Sequence, residues 1–179
     1  MAKRSMLTLL LTVLTLSVLG CATAPPVVRP QAPAEQKWPE VLPFNPGDIP
    51  AGWIFNGMRG PLVVEFARAD RDAAVQFTFY PAQHRTPAEV MKKAMDQASG
   101  GSLVFVEVTY SEDGNEAIAK IKDESQGSKA GRLIIRRFPG WSAYGVIIAG
   151  LWPATAEDEV LPDFETMQAW GRLKPVKAP

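Results

Sequence analysis

The chain has 179 residues, with 19 Lys and Arg against 19 Asp and Glu, one histidine and one cysteine. Balanced charge offers no basic surface for nucleic acid and no polybasic patch for anionic lipid. One cysteine excludes an intramolecular disulfide, so a domain here stands on its core; one histidine leaves only carboxylates as further ligands, so a zinc site is not expected.

The N-terminus carries Lys3 and Arg4, then the apolar stretch Met6 to Leu19, 14 residues long. That matches a signal-peptide core of about 7–15 residues and falls short of the ~20 needed to span a bilayer. Val18-Leu19-Gly20-Cys21 resembles the lipobox of bacterial lipoproteins, in which signal peptidase cuts before a cysteine carrying a diacylglyceryl thioether. Leu19 departs from the small residue commoner at that place. The competing account is an ordinary secretory signal with a coincidental cysteine; a free thiol left over in an exported protein counts against it. The resemblance implies acyl chains on Cys21 as the membrane partner, and two or more chains anchor stably where one does not. The residue after the cysteine is Ala22, not the Asp of the enteric inner-membrane retention signal, which implies the outer membrane with the domain facing the periplasm. Removing residues 1–20 takes Lys3 and Arg4 and no acid, leaving 17 basic residues against 19 acidic.

Between Ala22 and Pro50 stand eight prolines. Proline fixes φ and cannot donate to a ladder, so residues 21–43 are expected as the lipidated cysteine and an extended tether. In polyproline II geometry twenty-odd residues reach roughly 60–70 Å. An SH3-type ligand is the other reading of such a stretch, but no repeated PxxP core with flanking arginines stands there. Residues 44–175 then form one domain of about 130 residues, followed by a short tail, 176–179.

Strand signals open the domain. Trp53-Ile54-Phe55 follows a Pro-Ala-Gly turn, and Leu62–Arg68 and Ala73–Tyr80 flank Asp70-Arg71-Asp72 as a hairpin. In the latter strand Val75, Phe77 and Phe79 share one face, and Gln76, Thr78 and Tyr80 the other. Thr86-Pro87-Ala88-Glu89 is a capping box with proline at the first helical position. The helix it starts has an apolar stripe of Val90, Met91, Ala94, Met95 and Ala98 and ends at Gly100-Gly101.

Four strands follow: Leu103–Tyr110, Glu116–Lys122, Gly131–Phe138 and Ala143–Leu151. Short turn chemistry between them predicts antiparallel neighbours. The last runs from Tyr144 to Trp152 without a polar face, which marks a central strand covered on both sides and asks for a helix on each face of the sheet. Thr155–Glu159 opens the second helix with acids at its positive dipole end. Pro162 predicts a short first turn and a fresh start, with Leu161, Phe164, Met167 and Gly171 facing inward.

The order β-β-β-α-β-β-β-β-α, with Pro50-Ala51-Gly52-Trp53 entering the first strand and Phe164-Glu165-Thr166-Met167 through Leu173-Lys174-Pro175 at the end, resembles the Mog1/PsbP-like fold over most of residues 44–175. The resemblance implies an α+β protein: an antiparallel sheet of about seven strands in a three-layer α/β/α sandwich. It also implies accessory or binding roles rather than catalysis, and it carries no set of functional residues onto this chain.

Chemistry-bearing residues are sparse. His84 precedes the helix cap and reads as a surface or capping residue, since a general base needs a nucleophile or polarised water beside it. The acidic runs Glu112-Asp113, Asp123-Glu124 and Glu157-Asp158-Glu159 read as turn, loop and helix-dipole residues. No nucleophile elbow, phosphate loop, dinucleotide fingerprint or zinc-protease helix is present, so no catalytic residue, metal or cofactor is expected.

Arg132, Arg136 and Arg137 lie on one strand, and Lys120 and Lys122 on the one before. They form either a basic rim for an anionic partner or salt bridges to Glu107, Glu116 and Asp123 across the strands; the latter is favoured. Trp53 and Trp152 read as core closure. Trp141, in a Pro-Gly-Trp turn, reads as exposed. Trp and Arg are enriched at binding hot spots, so Trp141 with Arg136 and Arg137 is the candidate partner-binding site.

The expected function is that of a lipid-anchored cell-envelope protein, a non-enzymatic accessory or binding subunit whose partner is an envelope protein or a wall component. The alternatives are a periplasmic carrier of small apolar ligands and a hydrolase of unrecognised type.

Overall fold

The computed structural model describes residues 47–59, 62–82, 85–125, 128–137 and 144–170. Its strands are β1 (Ile54–Met58), β2 (Val63–Arg68), β3 (Ala73–Pro81), β4 (Leu103–Tyr110), β5 (Glu116–Asp123), β6 (Lys129–Arg137) and β7 (Tyr144–Pro153); its α-helices are α1 (Pro87–Ala98) and α2 (Glu157–Trp170). The seven strands form one sheet in the order β1-β2-β3-β7-β6-β5-β4, and every neighbouring pair is antiparallel. Two meanders are thus joined at β3 and β7, with α1 carrying the chain from the middle of the sheet to its far edge.

The apolar run in β7 puts that strand at the centre, and each face of it meets a different helix. Val146, Ile148 and Trp152 join Val64, Phe66, Val75, Phe77, Phe79 and Ile134 in a core closed by Val160, Phe164, Met167 and Trp170 of α2. Ile147, Ala149 and Leu151 pack on the other side with Ala117, Ala119, Ile121, Leu133 and Ile135, closed by Met91 and Ala94 of α1. Alternation along the strands sorts the two sets, and the result is the expected three-layer α+β sandwich. The approach of α2 is close: a Cβ at Gly150 would lie 2.6 Å from the ring of Phe164.

Local chemistry sets the ends of these elements. Thr86 Oγ1 accepts from the Glu89 amide at 3.2 Å and Glu89 Oε2 accepts from the Thr86 amide at 2.7 Å, the reciprocal capping box. The β2–β3 hairpin turns through a short 3-10 segment, Ala69–Arg71, into Asp72 at φ 46°. Aspartate tolerates the left-handed region better than most side chains.

Helix α2 departs from expectation. Pro162 lies inside one continuous helix rather than starting a second. A 3-10 turn, Ala154–Ala156, leads into α2. Burial of Val160 before the proline and of Phe164 and Met167 after it holds both sides against the same core, offsetting the lost backbone bond. The inward stripe accordingly begins at Val160 and includes Trp170, while Leu161 is only partly buried at its side. Gly171 lies outside the described residues, as does the tether. Ile49 packs on the core ahead of β1.

Candidate functional site

The sequence-based candidates meet different fates. Cys21, His84 and Trp141 lie outside the described residues. Arg136 does not stand on the surface: it is 5 % exposed. Its Nε is ion-paired with Glu116, and its Nη1 and Nη2 donate to the Gln168 carbonyl and side chain at 3.0 and 2.8 Å. Adjacent residues on a strand point to opposite faces, so Arg137 lies on the α1 side, where Nη2 donates to the Ala82 carbonyl at 2.6 Å. The two arginines therefore do not form one surface.

The basic rim resolves only in part into the cross-strand pairs expected: Arg136 meets Glu116 as above, but Asp123 accepts from Ser125 and Lys122 is exposed. Lys120 meets Glu107 at 2.6 Å and Arg132 meets Glu157 at 2.9 Å. Lys120 draws the Glu107 carboxyl below its usual range. Trp53 and Trp152 are buried, as core closure requires, and Trp170, for which the sequence carried no such expectation, is buried too. Among the described residues no group of three His, Cys, Asp or Glu side chains is placed to hold a metal ion, and no helix is long and apolar enough to cross a membrane.

A different set of side chains comes together on the α1 face, over β2 and β3. Val64 and Phe66 of β2 point into the α2 core, so Glu65 between them points the other way. It lies directly opposite Gln76 of β3, and both are almost fully buried, at 3 % and 2 % exposure. Asn56 Nδ2 donates to Glu65 Oε1 at 2.5 Å. Arg59 Nε lies 3.2 Å from Glu65 Oε2, near enough for charge attraction but not aligned as a hydrogen bond. Gln76 Nε2 donates to Thr78 Oγ1 at 3.3 Å. Two residues on, Tyr80 lies over Gly145: a Cβ there would come within 2.5 Å of the Tyr80 ring, so β7 needs glycine at that register position. Burial pushes the Tyr80 phenol up to about 12, with the Arg137 guanidinium opposing it.

Among the described residues, four buried side-chain atoms lack a hydrogen-bond partner: Glu65 Oε2, Gln76 Oε1, the Tyr80 hydroxyl and Trp152 Nε1. The first three belong to this one face. Buried polar groups are nearly always satisfied; of these three only Glu65 and Gln76 are neighbours, for Tyr80 stands four residues further along β3, about 13 Å away. The sequence reading placed Gln76, Thr78 and Tyr80 on a common face but passed over Glu65. The available signal was a carboxylate in the middle of an otherwise apolar strand, Val63-Val64-Glu65-Phe66.

No protein-family model matches the chain, and no curated protein sequence matches it. Solved structures similar to it include the cyanobacterial PsbP of Synechocystis sp. PCC 6803, 15 % identical with a TM-score of 0.49, covering 68 % of this chain and 81 % of that one. The Ran-binding protein Mog1p of Saccharomyces cerevisiae is 10 % identical with a TM-score of 0.45, covering 70 % of this chain and 77 % of that one.

Proposed function

We propose that the protein is a lipid-anchored component of a bacterial cell envelope, with a non-enzymatic accessory or binding domain held off the membrane by a proline-rich tether. The observation that carries this reading is the order of segments in the sequence. A short apolar stretch runs into Val18-Leu19-Gly20-Cys21, eight prolines follow between Ala22 and Pro50, and only then does a domain begin. A thiol in that position is explained by acylation, and the tether by the need to place a domain away from the bilayer surface. Ala22 favours the outer membrane, with the domain in the periplasm.

Support for binding over catalysis comes from how the described charged side chains are used. Arg136 with Glu116, Arg132 with Glu157, Arg68 with Asp163 and Lys129 with Asp72 are ion-paired and tie helix to sheet, strand to strand, or strand to turn. The reading is tested by growing the native host with an alkyne fatty acid. Wild-type protein should take up the label and sediment with membranes, while Cys21→Ala should do neither and still melt cooperatively. Unlabelled wild-type protein would contradict the anchor.

A further inference from the structure

We propose that Asn56-Gly57 is a site of spontaneous covalent modification, where the folded protein loses the Asn56 side-chain amide and gains aspartate or isoaspartate. The inference rests on β1 and β2 alone and is independent of Cys21 and of where the protein is anchored. Loss of an asparagine amide begins with attack by the next residue's backbone nitrogen, and that attack is least hindered when the next residue has no side chain. Asn45 and Asn115 precede Pro46 and Glu116 instead.

The fold adds what the dipeptide alone does not. Pairing jumps from Phe55 opposite Phe66 to Gly57 opposite Glu65, so Asn56 is the extra residue of a β-bulge on an edge strand. Its side chain is exposed. Gly57 sits at φ 108°, and a Cβ built on it would meet nothing within 4 Å, so there is room beside the bond for a ring to close. The Gly57 nitrogen, having given its proton to water or hydroxide, attacks Asn56 Cγ. The Cγ–Nδ2 bond breaks, and Nδ2 takes up a proton and leaves as ammonia. Water then opens the succinimide, at the side-chain carbonyl to give aspartate or at the main-chain carbonyl to give isoaspartate. One nitrogen is exchanged for one oxygen, and nothing is oxidised or reduced. Asp113-Gly114 is the internal contrast: its carboxylate, held by Ser111 and Asn115, offers no such leaving group.

The consequence falls on Glu65. Asn56 Nδ2 donates to Glu65 Oε1 at 2.5 Å, and Glu65 is 3 % exposed. Modification replaces that donor by a second carboxylate, and like charges so placed repel. Arg59, 3.2 Å from the other Glu65 oxygen, offsets only one of them. Isoaspartate also lengthens the backbone between Phe55 and Gly57, both of which pair with β2. Either product loosens β1 from the sheet.

The test incubates full-length protein in heavy-oxygen water at mildly alkaline pH, folded and in parallel in urea, and maps the label by peptide mass. Folded protein should take label at residue 56 at least tenfold faster than at Asn115 or Asp113. Asn56→Asp should melt several degrees below wild type, and Glu65→Gln should remove that loss, because the new amide can donate to the new carboxylate. The proposal is overturned if residue 56 of the folded protein takes no label, even where the urea sample does. It is overturned equally if Asn56→Asp melts with wild type, or if its loss persists beside Glu65→Gln. Should Asn56→Asp not fold, Glu65→Gln must restore folding; failure to do so also overturns the proposal.

Discussion

Trp53 and Asp163 stand 110 residues apart and share a hydrogen bond: the indole Nε1 donates to Asp163 Oδ2 at 2.8 Å. The same oxygen takes Arg68 Nη1 at 2.8 Å. One carboxylate on α2 therefore fastens both the entry to β1 and the end of β2, the edge of the sheet farthest from β4.

Asp163→Ala removes the common acceptor and leaves a buried indole N–H and a guanidinium without it. Bonds to a charged group contribute about 1.5–3 kcal/mol each, and the carboxylate is 24 % exposed, so the expected loss is about 2 kcal/mol by denaturant unfolding. Asp163→Asn keeps an acceptor for the indole and should lose less. Equal stability of wild type and Asp163→Ala would show that the tie contributes nothing.

Ile148 is fully buried in the central strand, directly between Phe77 of β3 and Ile134 of β6. Ile148→Asp places an unpaired carboxylate there and should cost several kcal/mol, enough to prevent folding at ordinary temperature. Val106 sits at the irregular register of the edge strand β4 and is 52 % exposed. Val106→Asp should change stability by no more than about 0.5 kcal/mol. Similar melting curves for the two variants would mean that β7 is not central.

The contrast between these strands marks how far the sequence was legible. The unbroken apolar run of β7 has no other use than a place covered on both sides, so its centrality and the need for two helices could be read from it. The Thr86–Glu89 capping box and the hairpin around Asp70–Asp72 are local, and local chemistry places them within a residue or two. Continuity of α2 through Pro162 was not legible, because it rests on tertiary packing of Val160 and Phe164 against strands distant in sequence. The Glu65–Gln76 pair was legible only in part. Glu65 stands out as a carboxylate in an otherwise apolar strand, but only the β2–β3 register sets it opposite Gln76.

Asp113 lies in the β4–β5 turn, where the Ser111 hydroxyl donates to Oδ1 at 2.6 Å and the Asn115 backbone and side chain add two more bonds at 3.0 Å. These bonds lower its carboxyl to about 2. A depressed pKa contributes stability above the unfolded value, and that contribution is lost as pH falls from about 4 to about 2. Carboxyl NMR should follow Asp113 titrating near 2, and Ser111→Ala should move it up. An Asp113 midpoint near 4 in the wild type would contradict the turn geometry.

Tyr80 carries the opposite sign. Its phenol is raised to about 12 by burial, so folding favours the protonated form. The stabilisation is complete below the unfolded pKa of about 10 and is lost as pH rises from there towards 12. Tyr80→Phe removes a buried hydroxyl that has no partner and should melt at or above wild type at neutral pH while losing less stability at alkaline pH. A marked loss at neutral pH would show that the hydroxyl is bonded within the fold.

The anchoring of the chain through Cys21 is tested most directly by the intact mass of protein extracted from membranes of its native host. The account predicts a chain that begins at Cys21 and carries the added mass of at least two acyl chains, released in part by alkaline hydrolysis of their esters. A chain beginning at any other residue, or one beginning at Cys21 with an unmodified thiol, would contradict it.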